Sequence, residues 1–205
     1  MKVAVITPPS TVLTVVDARN AGVFAADDVD TAIEVCIAAA QGTIDGPTGW
    51  LGRAVGLQTL EATVDGRWPS CTRLDWKLPF PPIRAITSVK YTDAAGVEQT
   101  IDPTQYSLAT DVLTFKTTLP AATRIRYQAG YSTGTQGLAD APLPAPIRHA
   151  ILLMAAQLKG AVGQGQVIRE DVTGVGSTLY AMPAATAKTL QDTSEALLST
   201  FRKFC

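Results

Sequence analysis

The residues that most restrict this chain are Pro79-Phe80-Pro81-Pro82 and the alternation that follows them. Three prolines in four positions cannot sit in a helix or a central strand, because proline lacks the N–H and fixes φ. They make a stiff lead-in to Ile83-Arg84-Ala85-Ile86-Thr87-Ser88-Val89-Lys90-Tyr91. Ile83, Ala85, Thr87, Val89 and Tyr91 fall on one side of that run, and Arg84, Ile86, Ser88 and Lys90 on the other. A period of two, rich in β-branched residues, predicts a strand with one apolar and one mixed face. Asp93-Ala94-Ala95-Gly96 then supplies the chemistry of a tight reversal.

Shorter strands surround this one. Gly52 to Val64 reads as strand-like, and Asp65-Gly66 is a strong hairpin signal joining it to an arm over Thr72 to Leu78. Further strands are expected near Val97 to Ile101, at Tyr106 to Leu108, at Val112 to Phe115 and over Thr123 to Tyr131. These make an antiparallel β unit over 51–134, either a small sandwich or a curled sheet. Helical patterns flank it. A short helix is expected around Thr11 to Asn20, capped by Ser10. A second follows Asp27 and Asp28, with Val29, Ile33, Cys36, Ile37 and Ala40 at helical spacing and Gln41-Gly42 as its stop. Beyond a Pro- and Gly-rich linker, Ala145-Pro146 starts a helix striped by Ile147, Ile151, Met154, Ala155 and Leu158. A glycine-rich loop over about 160–183, expected to be mobile until a partner orders it, precedes a last helix from about Ala184 to Phe204. The expected fold class is α+β: a small helical core from 1–50 and 135–205, with the β unit inserted.

Composition bounds the function. The chain has 205 residues, 46% hydrophobic and 17% charged, which supports a folded core. Net charge is −1, spread unevenly: 1–70 holds four basic and eight acidic residues, 71–135 seven and five, and 136–205 six and five. Such a spread suits a protein that meets other proteins, or an ordinary solvated surface. It lacks the basic excess of a tight nucleic-acid binder. Cys36, Cys71 and Cys205 are odd in number and far apart, which points to a reducing compartment and away from disulfides or zinc. No apolar run has the length of a membrane span or the layout of a signal sequence, so a soluble protein made inside the cell is expected.

Gly130-Tyr131-Ser132-Thr133-Gly134 matches G-x-S-x-G, with Asp140 and His149 following in hydrolase order. That mechanism requires a helix directly after the serine, and Thr135 to Pro142 cannot start one; a small serine esterase using Ser132 is the lesser reading. His149 is the sole histidine, which excludes a histidine cluster. Asp27, Asp28 and Asp30 lack the glycine and distal glutamate of a calcium loop and read as capping residues. Gly174-Val175-Gly176 has no dinucleotide context, and there is no phosphate-loop lysine. Trp50, Trp68 and Trp76 are not interleaved with basic residues, so packing explains them better than stacking on nucleic acid. No enzyme, cofactor or metal site is expected.

Taken together, the pieces resemble the head–tail connector (adaptor, head-completion) proteins of tailed bacteriophages and gene transfer agents. The matching segments are the acidic-capped N-terminal helices, Gly52-Arg53 to Glu61, Leu78-Pro79-x-Pro81-Pro82-Ile83, Ile86-x-Ser88-Val89-x-Tyr91-x-Asp93 and Gly96. Tyr106, Tyr127-x-Ala129-Gly130-Tyr131, Pro144-x-Pro146-Ile147-x-x-Ala150-Ile151 and Phe201-Arg202 complete them. The glycine-rich 160–166 stretch departs from the family, which often has an arginine-containing loop there.

The resemblance implies a structural virion protein of the particle neck, assembled in the bacterial host cytoplasm. It implies a homo-oligomeric ring, of 12 copies in the family it resembles, that lies beneath the portal protein, extends the channel for passing double-stranded DNA and meets a tail-side stopper or tail terminator. Leu197, Leu198, Phe201, Arg202, Lys203 and Phe204 are the expected portal-docking residues, and Gln166, Val167, Ile168 and Arg169 the expected assembly loop. A capsid decoration or binding module is the other alternative.

Overall fold

The chain divides into two units, each built from segments distant in sequence. The β unit takes Met1–Val12, Thr43–Leu143 and Arg202–Cys205; the helical unit takes Leu13–Gly42 and Pro144–Phe201. The computed structural model describes residues 2–64, 75–116, 123–131, 142–163, 170–172, 176–178 and 184–203.

In the β unit, β1 (Lys2–Thr7), β2 (Gln58–Val64), β4 (Ile83–Thr92), β5 (Glu98–Thr100) and β8 (Thr123–Ala129) form one antiparallel sheet in the order β1-β2-β8-β4-β5. A second sheet has the order β3-β7-β6, from β3 (Asp75–Lys77), β6 (Tyr106–Ala109) and β7 (Val112–Phe115). β8 sits centrally because its alternation is strict: Thr123, Ile125, Tyr127 and Ala129 are buried, while Arg124, Arg126 and Gln128 between them are partly exposed. Both sheets feed one apolar core of Leu60, Ala62, Leu78, Val89, Ile125 and Tyr127 with Leu113 and Phe115, against which Trp76, Tyr106 and Leu108 pack. Each large side chain buried there contributes about 1.5–3 kcal/mol relative to exposure. The Tyr127 hydroxyl, reaching the core boundary, donates to the Pro79 carbonyl at 3.0 Å.

Two departures from the sequence reading have clear causes. The hairpin expected at Asp65-Gly66 lies outside the described residues, and the strands on either side of it are not partners. β2 is flanked by β1 and β8, so both its edges are taken; β3 pairs with β7 in the other sheet. The two-sided division of β4 also fails, because its register against β8 shifts between Ile83 and Ala85 and again between Ile86 and Ser88. These irregularities carry Ile86 to the core side, packed against the cluster that holds Ile83 and Val89. The proline lead-in is bent: Phe80 has φ 58 and Pro81–Pro82 is cis.

In the helical unit, α1 (Val15–Asn20) begins with a capping box on Thr14. The Asp17 N–H donates to Thr14 Oγ1 at 3.1 Å, and the Thr14 N–H to Asp17 Oδ2 at 2.9 Å. The cap is Thr14 and not Ser10, whose hydroxyl instead accepts from the Leu57 N–H in the β unit. α2 (Asp30–Ile44) buries Ile33, Cys36, Ile37, Ala40 and Gln41 on one face. α3 (Ala145–Gly163) buries Ile147, Ala150, Ile151, Leu152 and Ala155, and packs along α4 (Ala184–Ser199), which buries Ser194 and Leu198. Within the stretch expected to be an unstructured loop, β9 (Glu170–Val172) pairs with β10 (Gly176–Thr178) as an antiparallel ribbon.

Candidate assembly surfaces

The hydrolase candidates do not form a described site. Ser132 and Asp140 lie outside the described residues, and His149 is exposed on α3. The glycine that opens the motif has a structural duty. Gly130 has φ 123, and a Cβ there would lie 2.2 Å from the Gly56 carbonyl oxygen, so only glycine lets the end of β8 pass that backbone. Tyr131 beside it is buried; its N–H donates to the Val55 carbonyl at 2.9 Å, and burial pushes its phenol above the ordinary range, opposed by Arg53. Among the described residues no group of three His, Cys, Asp or Glu converges to hold a metal ion, and no helix is long and apolar enough to cross a membrane.

The segment leading from α2 to β2 is organised by one buried carboxylate. Asp45 Oδ1 accepts from the Val55 N–H and from Gln58 Nε2, both at 2.7 Å, and Oδ2 accepts from the Gly56 N–H at 2.8 Å. Its charge is met by N–H donors of its own segment, a function that its place in Ile44-Asp45-Gly46-Pro47 did not announce.

On the outer face of the five-stranded sheet, charges pair across strands. Arg126 reaches Glu61 at 2.7 Å, Lys90 reaches Glu98 at 2.6 Å, and Arg124 takes the other oxygen of Glu98. Three cations against two carboxylates leave this face close to balanced. The charge of the whole chain is less even between units: the helical unit holds five basic and nine acidic residues, the β unit twelve and nine.

The helical unit also exposes apolar side chains. Val16, Val29 and Val35 are 64%, 66% and 67% exposed, more than any other large hydrophobic side chain described. On α2, Ala38, Ala39 and Gly42 are exposed beyond Val35, and no charged residue occurs between Glu34 and Asp45. The sequence reading put Val29 on the buried stripe with Ile33, Cys36, Ile37 and Ala40; it lies just before α2 and stays exposed. Charges instead tie α3 to α1 and to the segment between α1 and α2. Arg148 meets Asp17 at 3.2 Å, and Lys159 meets Asp28 while lying 5.4 Å from the centre of the Phe24 ring. Asp28 is held below the ordinary carboxylate range first by its bond with Lys159, and Asp17 first by the Thr14 N–H.

Of the six expected docking residues, Leu198 is buried, Leu197, Phe201 and Lys203 are partly exposed, Arg202 is exposed, and Phe204 lies outside the described residues. Arg202 and Lys203 join the β unit: the guanidinium lies 5.6 Å from the Trp50 ring centre, and the Lys203 N–H donates to the Leu51 carbonyl at 2.9 Å. Gln166, Val167, Ile168 and Arg169 lie outside the described residues.

No protein-family model matches the chain, and no curated protein matches it. Solved structures do. All of this chain superposes on 97% of a chain from the neck of an empty gene transfer agent particle computed with C6 symmetry, with TM-score 0.66 and 20% identity. It superposes with the same coverage on a chain from the neck of a native particle computed with C12 symmetry, with TM-score 0.59 and 21% identity. The fold is that of a gene transfer agent neck protein. It agrees with the connector resemblance drawn from the motifs, and it extends over the β unit and the helical unit together.

Proposed function

We propose that this chain is a structural, non-enzymatic component of a particle neck, a head–tail connector that assembles as a ring. The observation that carries the reading is the full-length match to neck chains from particles with cyclic symmetry. A ring requires each copy to present two unlike, complementary surfaces. The acidic helical unit, with Val16, Val29 and Val35 exposed, and the more basic β unit supply such a pair. In this reading twelve copies sit beneath the portal protein, the exposed part of the segment from Leu197 to Phe204 docks on it, residues 166–169 take part in assembly, and a tail-side stopper or terminator binds below. Passing DNA must not adhere, which suits a net charge of −1 and a sheet face whose cations are paired. The test is co-expression with the portal protein of the same particle, followed by mass measurement and imaging. Portal-associated rings are the expected result; a chain that stays solitary with portal present overturns the reading.

A further inference from the structure

The contact between the chain's end and residues 50–52 is made by backbone as well as side chains. Gly52 has φ 69, and a Cβ added there would lie 2.0 Å from the carbonyl oxygen of Lys203 and 3.0 Å from its carbonyl carbon. The obstacle would be backbone, so no side-chain rotation relieves it. Position 52 is therefore open only to glycine while Lys203 stays where it is. Three features converge on two residues: the notch at Gly52, the 2.9 Å bond from the Lys203 N–H to the Leu51 carbonyl, and the Arg202 guanidinium over Trp50. Leu51 is fully buried and gives the notch a fixed floor, whereas Trp50, 36% exposed, forms its rim.

We propose that Trp50, Leu51 and Gly52 form a peptide-binding notch whose ligand is the cationic Arg202-Lys203 segment of this chain. Backbone complementarity fixes the path of the segment, and the Trp50–Arg202 stack fixes its register. Resting on the docking role proposed above, the notch presets the direction of the chain at Arg202 and Lys203. A partner then meets an ordered segment and does not bear the cost of ordering it. The face offered to that partner is composite: it includes Trp50 beside Arg202 and is not confined to the terminal segment.

The test compares the full-length wild-type chain with Gly52→Val, Trp50→Ala and a chain ending at Phe201. Carboxypeptidase release of the last residues reports the notch directly, and affinity for portal protein reports its use. Gly52→Val should expose the end to release at least tenfold faster. Trp50→Ala, which leaves the backbone notch and its hydrogen bond intact, should give a smaller increase of about fivefold, since the stacked cation it removes carries about a kilocalorie. Portal affinity should fall in the same order, and combining Gly52→Val with the truncation should add nothing to the truncation alone. Thermal unfolding and circular dichroism identify any variant that has lost its fold; if Gly52→Val is one, the outcome is decided by Trp50→Ala and the truncation. Release rates unchanged in a folded Gly52→Val, or in Trp50→Ala if only that variant folds, overturn the notch. Faster release with unchanged portal affinity overturns its role in docking. A wild-type chain that does not bind portal protein overturns the docking reading itself, and the release rates still decide the notch.

Discussion

Two regions of the molecule hold their carboxylates by opposite means. In the β unit the buried Asp45 carboxylate is satisfied by two backbone N–H groups and one side-chain amide between ten and thirteen residues away. In the helical unit Asp17 and Asp28 face Arg148 and Lys159 across 131 residues of sequence, at partly exposed positions. Neutral donors inside a segment are indifferent to salt, whereas exposed ion pairs are screened by it. The Asp45 cluster should therefore keep its bonds whatever the salt, whereas the pairs at Asp17 and Asp28, like Glu61–Arg126 and Glu98–Lys90 on the sheet face, should follow it.

The contrast can be broken most forcefully from the β side. Tyr127→Ala removes a fully buried ring from the shared core and should cost about 3–5 kcal/mol in denaturant unfolding. Tyr127→Phe, which removes only the bond to Pro79, should cost about 1 kcal/mol. Asp45→Ala leaves three buried donors without their acceptor and should cost on the order of 3 kcal/mol. If its loss proves as small as that of an exposed ion pair, the contrast between the units collapses.

Acid should separate the units next. Asp17 and Asp28 both lie below the ordinary value of 3.8 in the folded chain, so the unfolded chain takes up their protons first as pH falls. Their contribution is complete above that value and drains away as pH drops through the folded values. Asp93 and Asp102 in the β unit are also held low, first by Gln99 and Thr104 close in sequence, as Asp17 is by Thr14; of these four only Asp28 owes its lowering first to a distant partner, Lys159. Hydrogen exchange between pH 5 and pH 3 should show α1 and α3 losing protection before β8, with salt advancing the loss. Lys159→Met should bring the Asp28 titration back toward its ordinary value.

The smallest effect on stability carries the most about assembly. Val35→Lys alters a side chain that is mostly solvated in the subunit, so its unfolding should shift by no more than about 0.5 kcal/mol. Ring formation should nevertheless be lost, as read by sedimentation in the presence of portal protein. Intact rings would remove this face of α2 from the subunit interface.

Local signals carried much of the fold. β4, β6, β7 and β8 stand where alternation and turn residues put them, and α2 and α3 where apolar spacing did, because each is decided by neighbours within one element. Pairing was beyond reach: nothing in Lys2-Val3-Ala4-Val5-Ile6-Thr7 shows that it closes one edge of β2, and that edge is why the Asp65-Gly66 signal does not yield a hairpin between β2 and β3. Asp45 reads as an ordinary turn residue before Gly46-Pro47, since its partners are assembled only by the return of the chain at Val55 to Gln58. Of the assembly surfaces, the end of the chain was legible as charge and aromatic residues. Its seat on Gly52 was not, because a glycine required by a backbone 151 positions away looks like any other.

The chain passes between its units four times, after Val12, Gly42, Leu143 and Phe201. On a translating ribosome, α1 and α2 emerge about a hundred residues ahead of α3 and α4, a wait of roughly 5–20 s at bacterial speeds. For that interval the valines of α1 and α2 and the inward-facing isoleucines of α2 alike have no finished helical unit to join. The β-unit residues up to Leu143 are all made before α3 and α4. α1 and α2, made before most of the β unit, thus gain their helical partners only after it.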